Sequence, residues 1–271
     1  MLRIEHLSKA YGEKKAVDDL NLHIAPGEIY GFIGHNGAGK TTTLKSVAGI
    51  LQFDQGEIYV DGKSIRTQPL ECKRTFAYIP DNPDLYDYMT GITYLNFVAD
   101  IFGVSAADRQ ARIREYAGRF ELTDDLAQPI AAYSHGMKQK LAIIAAWLHQ
   151  PKLIIMDEPF VGLDPKAAHL LKGMMRELCD EDGAIFFSTH VLEVAEKLCD
   201  KVAIIKGGRL IRSGTMEEVK GDDSLEEVFL ELEDEACPCL LYTSKQALRA
   251  LRRTAGRAKV QPTNNQEETI C

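Results

Sequence analysis

Two short stretches hold the residue types from which phosphate chemistry is made. In "GHNGAGKTT", Gly34, Gly37 and Gly39 are spaced by His35, Asn36 and Ala38 and followed by Lys40, Thr41 and Thr42. The run fits G-x-x-x-x-G-K-[ST], a loop whose glycines let successive backbone N–H groups turn toward one anion. A helix starting near Lys40 adds its positive end. Lys40 is then placed to reach the β- and γ-phosphates of a nucleotide, and Thr41 to put its hydroxyl on Mg²⁺. In "LIIMDEP", Leu153 to Pro159, an apolar run ends in two carboxylates. Asp157 suits Mg²⁺ through a water, because that ion keeps much of its hydration shell. Glu158 is positioned to polarise an attacking water, a contribution of about 10²–10⁴ in rate for a placed general base.

A third stretch, "YSHGMKQK" (Tyr133 to Lys140), packs a serine, a histidine and two lysines before the apolar run "LAIIAAWL". A Ser134/His135 nucleophilic pair is one reading, but adjacent side chains at a helix start diverge and no orienting acid is evident. An anion-binding helix start and a plain polar cap stay open on these residues alone.

Such groups need strands that end where a ligand can lie. The strand "IYGFIG" runs into the glycine loop, a helix is expected from Lys40 to about Gly49, and "GEIYVDGKSI" reads as a hairpin with an Asp-Gly turn. From about Asp87 to Gln128 apolar residues recur at three-to-four spacing, as in "TYLNFVADIFGV" and "AADRQARIREYAGRFEL", which is helical. Strand signals return in "KLIIMDEP", "GAIFFSTH" and "KVAIIKGGRLIRSG", separated by the helical "PKAAHLLKGMMRELC" and "VLEVAEKLC". The fold class expected is α/β, with a helical block at about 87–150 inserted into the core.

At 271 residues and 45% hydrophobic, the chain can bury one large core or two modest ones. A net charge of −8 argues against a nucleic-acid-coating role, since a phosphate footprint needs excess Lys and Arg. Of six cysteines, Cys72, Cys179 and Cys199 lie singly, Cys237 and Cys239 form a Cys-Pro-Cys, and no paired zinc spacing occurs. With no secretory leader read at the start, reduced cytosolic thiols are expected. The apolar runs are too short to span a bilayer, so any membrane role requires another chain. Residues 237–271 reverse the charge balance and are read as a disordered or non-native tail, leaving a body of 26 Lys/Arg against 38 Asp/Glu.

Taken in order, these motifs resemble the ATP-binding subunit of an ATP-binding cassette (ABC) transporter. The resemblance covers about 1–236, with "YSHGMKQK" where that family's signature falls, "GLDP" (Gly162 to Pro165) like its D-loop, and "STH" (Ser188 to His190) like its switch histidine. It implies a P-loop NTPase core with an antiparallel β subdomain and an inserted α-helical subdomain. It implies ATP and Mg²⁺ as ligands, and Tyr11 as the aromatic that stacks on adenine. It also implies a second ABC ATPase subunit, packed head to tail so that Ser134, His135 and Gly136 of one chain close over ATP held by the other. His190 is then expected to bridge the γ-phosphate and the opposing D-loop around Asp164. Integral membrane permease subunits are the further partners implied, at the inner face of a bacterial membrane, with the wording of "YIPDNPDLYDYMTG" most like export-type cassettes. No nucleic acid is expected.

Three departures stand out: Asp81 replaces the usual glutamine, His135 the usual first glycine of the signature, and Met137 the usual glutamine or nearby polar residue. Two alternatives accompany this reading. A soluble cassette ATPase acting on a ribosome or nucleic-acid machine would usually carry two cassettes or a long coiled coil. A regulatory, ATP-binding partner in a heterodimer fits the departures but not the intact Glu158, His190 and Ser134.

Overall fold

The computed structural model describes residues 1–234; the expectation for 237–271 lies outside the described residues. Residues Met1–Val228 pack as one unit, and the chain from Phe229 belongs to another. Two sheets organise the first unit. Alternating buried and open positions produce the antiparallel strands β1 (Leu2–Tyr11), β2 (Lys14–Ile24), β4 (Gln55–Val60) and β5 (Lys63–Ser64), ordered β2-β1-β4-β5. The Asp-Gly turn between β4 and β5 forms as the sequence required, with Asp61 at φ 49° and Gly62 at φ 78°. Two consecutive left-handed residues are what a two-residue hairpin needs.

The second sheet runs β10-β9-β3-β8-β7-β6. Its strands β3 (Ile29–Ile33), β6 (Phe76–Ile79), β7 (Leu153–Asp157), β8 (Ala184–Thr189) and β9 (Lys201–Lys206) are parallel, and β10 (Arg209–Thr215) pairs antiparallel at one edge. Every residue of β3, β7 and β8 is buried, which explains the apolar runs that fill them up to the polar ends of β7 and β8: a parallel strand is covered on both faces. Helices α1 (Lys40–Val47), α6 (Pro165–Asp180) and α7 (Leu192–Leu198) lie against these strands. Helix α2 (Pro69–Thr75) leads into β6, and α8 (Met216–Lys220) and α9 (Leu225–Asp234) follow β10.

Between β6 and β7 the chain forms α3 (Gly91–Ile101), α4 (Ala106–Arg119) and α5 (His135–Trp147), the first two within the stretch whose periodicity is helical and the third beyond it. α5 packs on α3, α4 and β6 at once, so its apolar run from Leu141 to Leu148 is buried all round. Arg112 of α4 donates to the Leu148 carbonyl at 2.6 Å and to Gln150 at 2.8 Å, putting a cation at the negative end of α5. Cys72, Cys179 and Cys199 are buried free thiols.

His149, just beyond α5, stacks on Phe102 at 3.7 Å between ring centroids and reaches the Phe76 carbonyl with Nε2 at 3.3 Å. Burial, ahead of the nearby Arg112, pushes its pKa down from 6.5 to about 4. Below the unfolded value, the unfolded chain takes up a proton that the folded chain refuses. Stability from this group is therefore full above about pH 6.5 and falls steadily as the pH drops toward 4. The expected loss between pH 7 and 5 is on the order of 1–2 kcal/mol. Urea unfolding of wild type and His149→Gln at both pH values checks it: an equal pH effect in the two proteins would remove His149 as its source.

Candidate functional site

The site follows from sheet order. β3 delivers the glycine loop, and its neighbour β8 and next neighbour β7 end level with it: Ile33 pairs Thr189, and Asp157 pairs Ser188. The ends of three buried parallel strands thus meet at one edge, the general ligand position of such sheets. Gly39 opens α1 at φ 113°, and a Cβ there would lie 2.3 Å from the Ala16 carbonyl oxygen, so only glycine fits. Thr90, Ser105, Ser134 and Asp164 cap helices α3 to α6 with their side chains, whereas α1 has neither a side-chain cap nor an acid in its first turn. Its positive end is left for an anion.

Lys40 is only 6% exposed. Its ammonium donates to the Gly34 carbonyl at 2.6 Å and the His35 carbonyl at 3.3 Å, and lies 3.6 Å from Glu158 Oε1. Asp157, 2% exposed, accepts the Ser188 hydroxyl at 2.5 Å. Glu158 takes a left-handed backbone at φ 48°, held by its N–H donating to both Ser188 O at 3.2 Å and Ser188 Oγ at 3.1 Å. A left-handed conformation costs a non-glycine residue on the order of 1–2 kcal/mol, and the surroundings must impose it. The turn places Glu158 Oε2 2.9 Å from His190 Nδ1 and 3.3 Å from the His190 N–H, while Oε1 is buried with no hydrogen-bond partner.

These groups face a cavity of about 330 Å³ lined by Tyr11, Lys14, Ala16, His35, Asn36, Gly37, Gly39, Lys40, Thr41, Thr42, Asp81, Asp157 and Glu158. Tyr11 offers an open ring at its rim, with Lys9 Nζ 5.6 Å from the centroid. Asp81 stands at the rim, and partial desolvation, then the carboxylates of Asp157 and Glu158, push its pKa upward. Gly34 and Ala38 belong to the buried back of the loop. A larger cavity, about 550 Å³, lies on the antiparallel sheet between His6 and Gly56. Its charges are already paired, His6 with Asp19, Lys9 with Asp54 and Lys15 with Asp18, so it offers no comparable chemistry.

Ser134, His135, Gly136, Asp164 and His190 do not line the 330 Å³ cavity. His190 joins it through Glu158. Ser134 caps α5, its Oγ accepting the Met137 N–H at 3.3 Å. Asp164 caps α6 through the Ala167 N–H at 2.8 Å, and its carboxyl is held below the usual range by Lys140 at 2.7 Å.

A profile described as "ABC transporter" matches residues 17–161, a little over half of the chain. The chain belongs to the ABC transporter family. It is an ATP-binding subunit of that family and an ATPase, with the P-loop NTPase fold. Curated ABC relatives from Bacillus subtilis include the ABC transporter ATP-binding protein NatA, 34% identical over 84% of this chain and 95% of NatA, and the ABC-type transporter ATP-binding protein EcsA, 33% identical over 87% and 97%. A solved ATP-binding subunit of an ABC transporter superposes with a TM-score of 0.83 at 36% identity, covering 86% of this chain and 99% of that one. The fold is shared at a TM-score of 0.73 with the ABC cassette MJ0796, solved as a post-hydrolysis dimer bound to ADP and Pi, at 23% identity.

Some residues that shape this ABC site escaped the sequence reading. Ser188 holds Asp157 and Glu158 together, but a serine inside "FFSTH" looks like any strand residue until β7 and β8 are paired. Lys14 and Ala16 reach the cavity from the β1–β2 hairpin, which carries no phosphate motif.

Proposed function

We propose that this ABC ATPase dimerises around two MgATP molecules and drives translocation by separate membrane-spanning permease subunits. The observation that carries the reading is a division within one chain. The phosphate loop, Asp157 and Glu158 converge on one cavity, whereas Ser134, His135 and Gly136, at the start of α5, lie outside it. A second chain packed head to tail supplies what the cavity lacks.

In this reading Tyr11 stacks on adenine, and the N–H groups from His35 to Thr42 wrap the phosphates. Lys40 exchanges its contacts with the Gly34 and His35 carbonyls for phosphate oxygens. Among the described residues no group of three or more His, Cys, Asp or Glu can hold a metal by itself. Thr41 and the buried Asp157 both line the cavity and present oxygen donors of the kind Mg²⁺ takes, and these two residues would hold the ion on this chain. Bound there, Mg²⁺ would supply positive charge to offset that developing on the phosphates. Glu158 takes a proton from the attacking water, and His190 keeps the carboxylate aimed. Asp81 occupies the glutamine position between the cavity and residues 87–150, read as a helical subdomain within a domain of 1–236.

No helix among the described residues is long and apolar enough to cross a membrane. In the proposed reading the subunit works at the cytoplasmic face, moved against its permease through the Asp81 loop and the helical block; the export-type subfamily is the subtype proposed. Copurification tests this. A tag on the N-terminus and mild solubilisation of source membranes should bring down a multi-span protein in stoichiometric amount. Ribosomes or DNA-associated proteins in its place would overturn the transporter reading.

A further inference from the structure

One face of α5 grips the segment that runs on from Glu158. Gly136 and Gly162 meet backbone to backbone: a Cβ on Gly136 would come within 2.7 Å of the Gly162 carbonyl oxygen. The His135 ring covers the other side, where a Cβ on Gly162 would lie 2.3 Å from its Cδ2. Four residues further along the helix, Gln139 is wholly buried and its amide donates to the Pro159 carbonyl at 3.4 Å. Lys140 follows, only 16% exposed, with its ammonium on Asp164 at 2.7 Å. The spacing i, i+1, i+4, i+5 sets all four on one helix face.

Local stability alone does not account for Gln139. Its Oε1 is buried with no hydrogen-bond partner, an arrangement that costs stability. A leucine or methionine would fill the same space without that cost. What the amide does provide is a link from α5 to the residue next to Glu158. We infer that Gln139 and Lys140 are positioning residues that clamp the 159–164 segment to α5. Through them, the acid–base end of a chain's own ATP site and the helix start it presents to its partner's ATP move as one body. The inference rests on the head-to-tail dimer proposed above. It gives that dimer a mechanical link between its two sites inside each subunit, made of side chains that touch no nucleotide.

Gln139→Met and Lys140→Met separate this from a structural role. Both are made in a Glu158→Gln background, in which turnover is expected to be at least about 10²-fold slower, and ATP-dependent dimerisation is followed by analytical ultracentrifugation. ATP affinity of the dilute monomer and thermal unfolding are measured beside it. The expected result is monomer ATP affinity within about twofold of the parent and, for Gln139→Met, an unfolding temperature equal to or above it. Dimer affinity should nevertheless fall in both variants. The Lys140–Asp164 pair lies within one chain, so its loss reaches association only through the placement of the 159–164 segment. With a partly exposed pair contributing up to about fivefold in each of two subunits, Lys140→Met should weaken association by at most about 25-fold. Lys140→Arg should restore it. Unchanged dimerisation in both Met variants overturns the clamp and leaves the dimer intact, as does a loss that merely tracks unfolding temperature. A parent that stays monomeric with saturating ATP overturns the dimer reading itself.

Discussion

Glu158→Gln should reduce ATP turnover by at least about 10²-fold, the lower end of what a placed general base contributes, while ATP affinity stays within a few-fold of wild type. The geometry makes the substitution unusually clean. Glutamine has the volume of glutamate and can still accept the His190 N–H, so the strained φ 48° turn held by Ser188 is not disturbed. What disappears is the carboxylate, whose Oε1 is buried without a hydrogen-bond partner and lies 3.6 Å from the Lys40 ammonium. Phosphate release at saturating ATP, with equilibrium binding measured in parallel, decides the matter. Full turnover in the variant would remove Glu158 from the base role. Lost binding with lost turnover would make it a structural residue of the loop.

The second large effect is on binding. Lys40→Ala should weaken ATP by about 100-fold or more, since a charge-assisted bond to a phosphate contributes about 1.5–3 kcal/mol and Lys40 can make more than one. Two consequences of the substitution must be kept apart. Removing a side chain that is 6% exposed also strips the Gly34 and His35 carbonyls of their donor, so the loop itself is loosened. Lys40→Arg restores a cation and donors but not the compact ammonium that fits among those carbonyls. It should recover fold stability more fully than affinity. Unchanged ATP affinity in Lys40→Ala would contradict the phosphate-loop assignment outright.

Much of this was written in local sequence. The glycine loop was legible because its chemistry is contained in nine consecutive residues, and the Asp61-Gly62 turn because two adjacent residue types demand one backbone shape. β3, β7 and β8 could be read from their apolar runs. β6 was not, being four residues, Phe76–Ile79, too few for a period to show. α2 was missed with it, a seven-residue helix whose buried face is Cys72 alone. Ser188 and Gln139 were invisible for a different reason. Their roles are set by partners 31 and 20 positions away, through the Asp157 carboxylate and the Pro159 carbonyl, and a single sequence gives no access to such pairings. The outward position of "YSHGMKQK" relative to the cavity was implied by resemblance and is a fact of packing, not of wording.

The sheet order has a consequence for how the protein comes into being. β3, which carries the phosphate loop, has both of its neighbours in the last third of the chain, β8 at 184–189 and β9 at 201–206. Contacts so distant in sequence form late and slowly, because loop closure must precede them. During synthesis the loop emerges early and waits for some 170 residues before its flanking strands exist. A ribosome paused before Lys206 holds every residue that lines the cavity but not both strands that flank the loop strand, so stabilisation of the nascent cassette by ATP is expected only once β8 and β9 have been made.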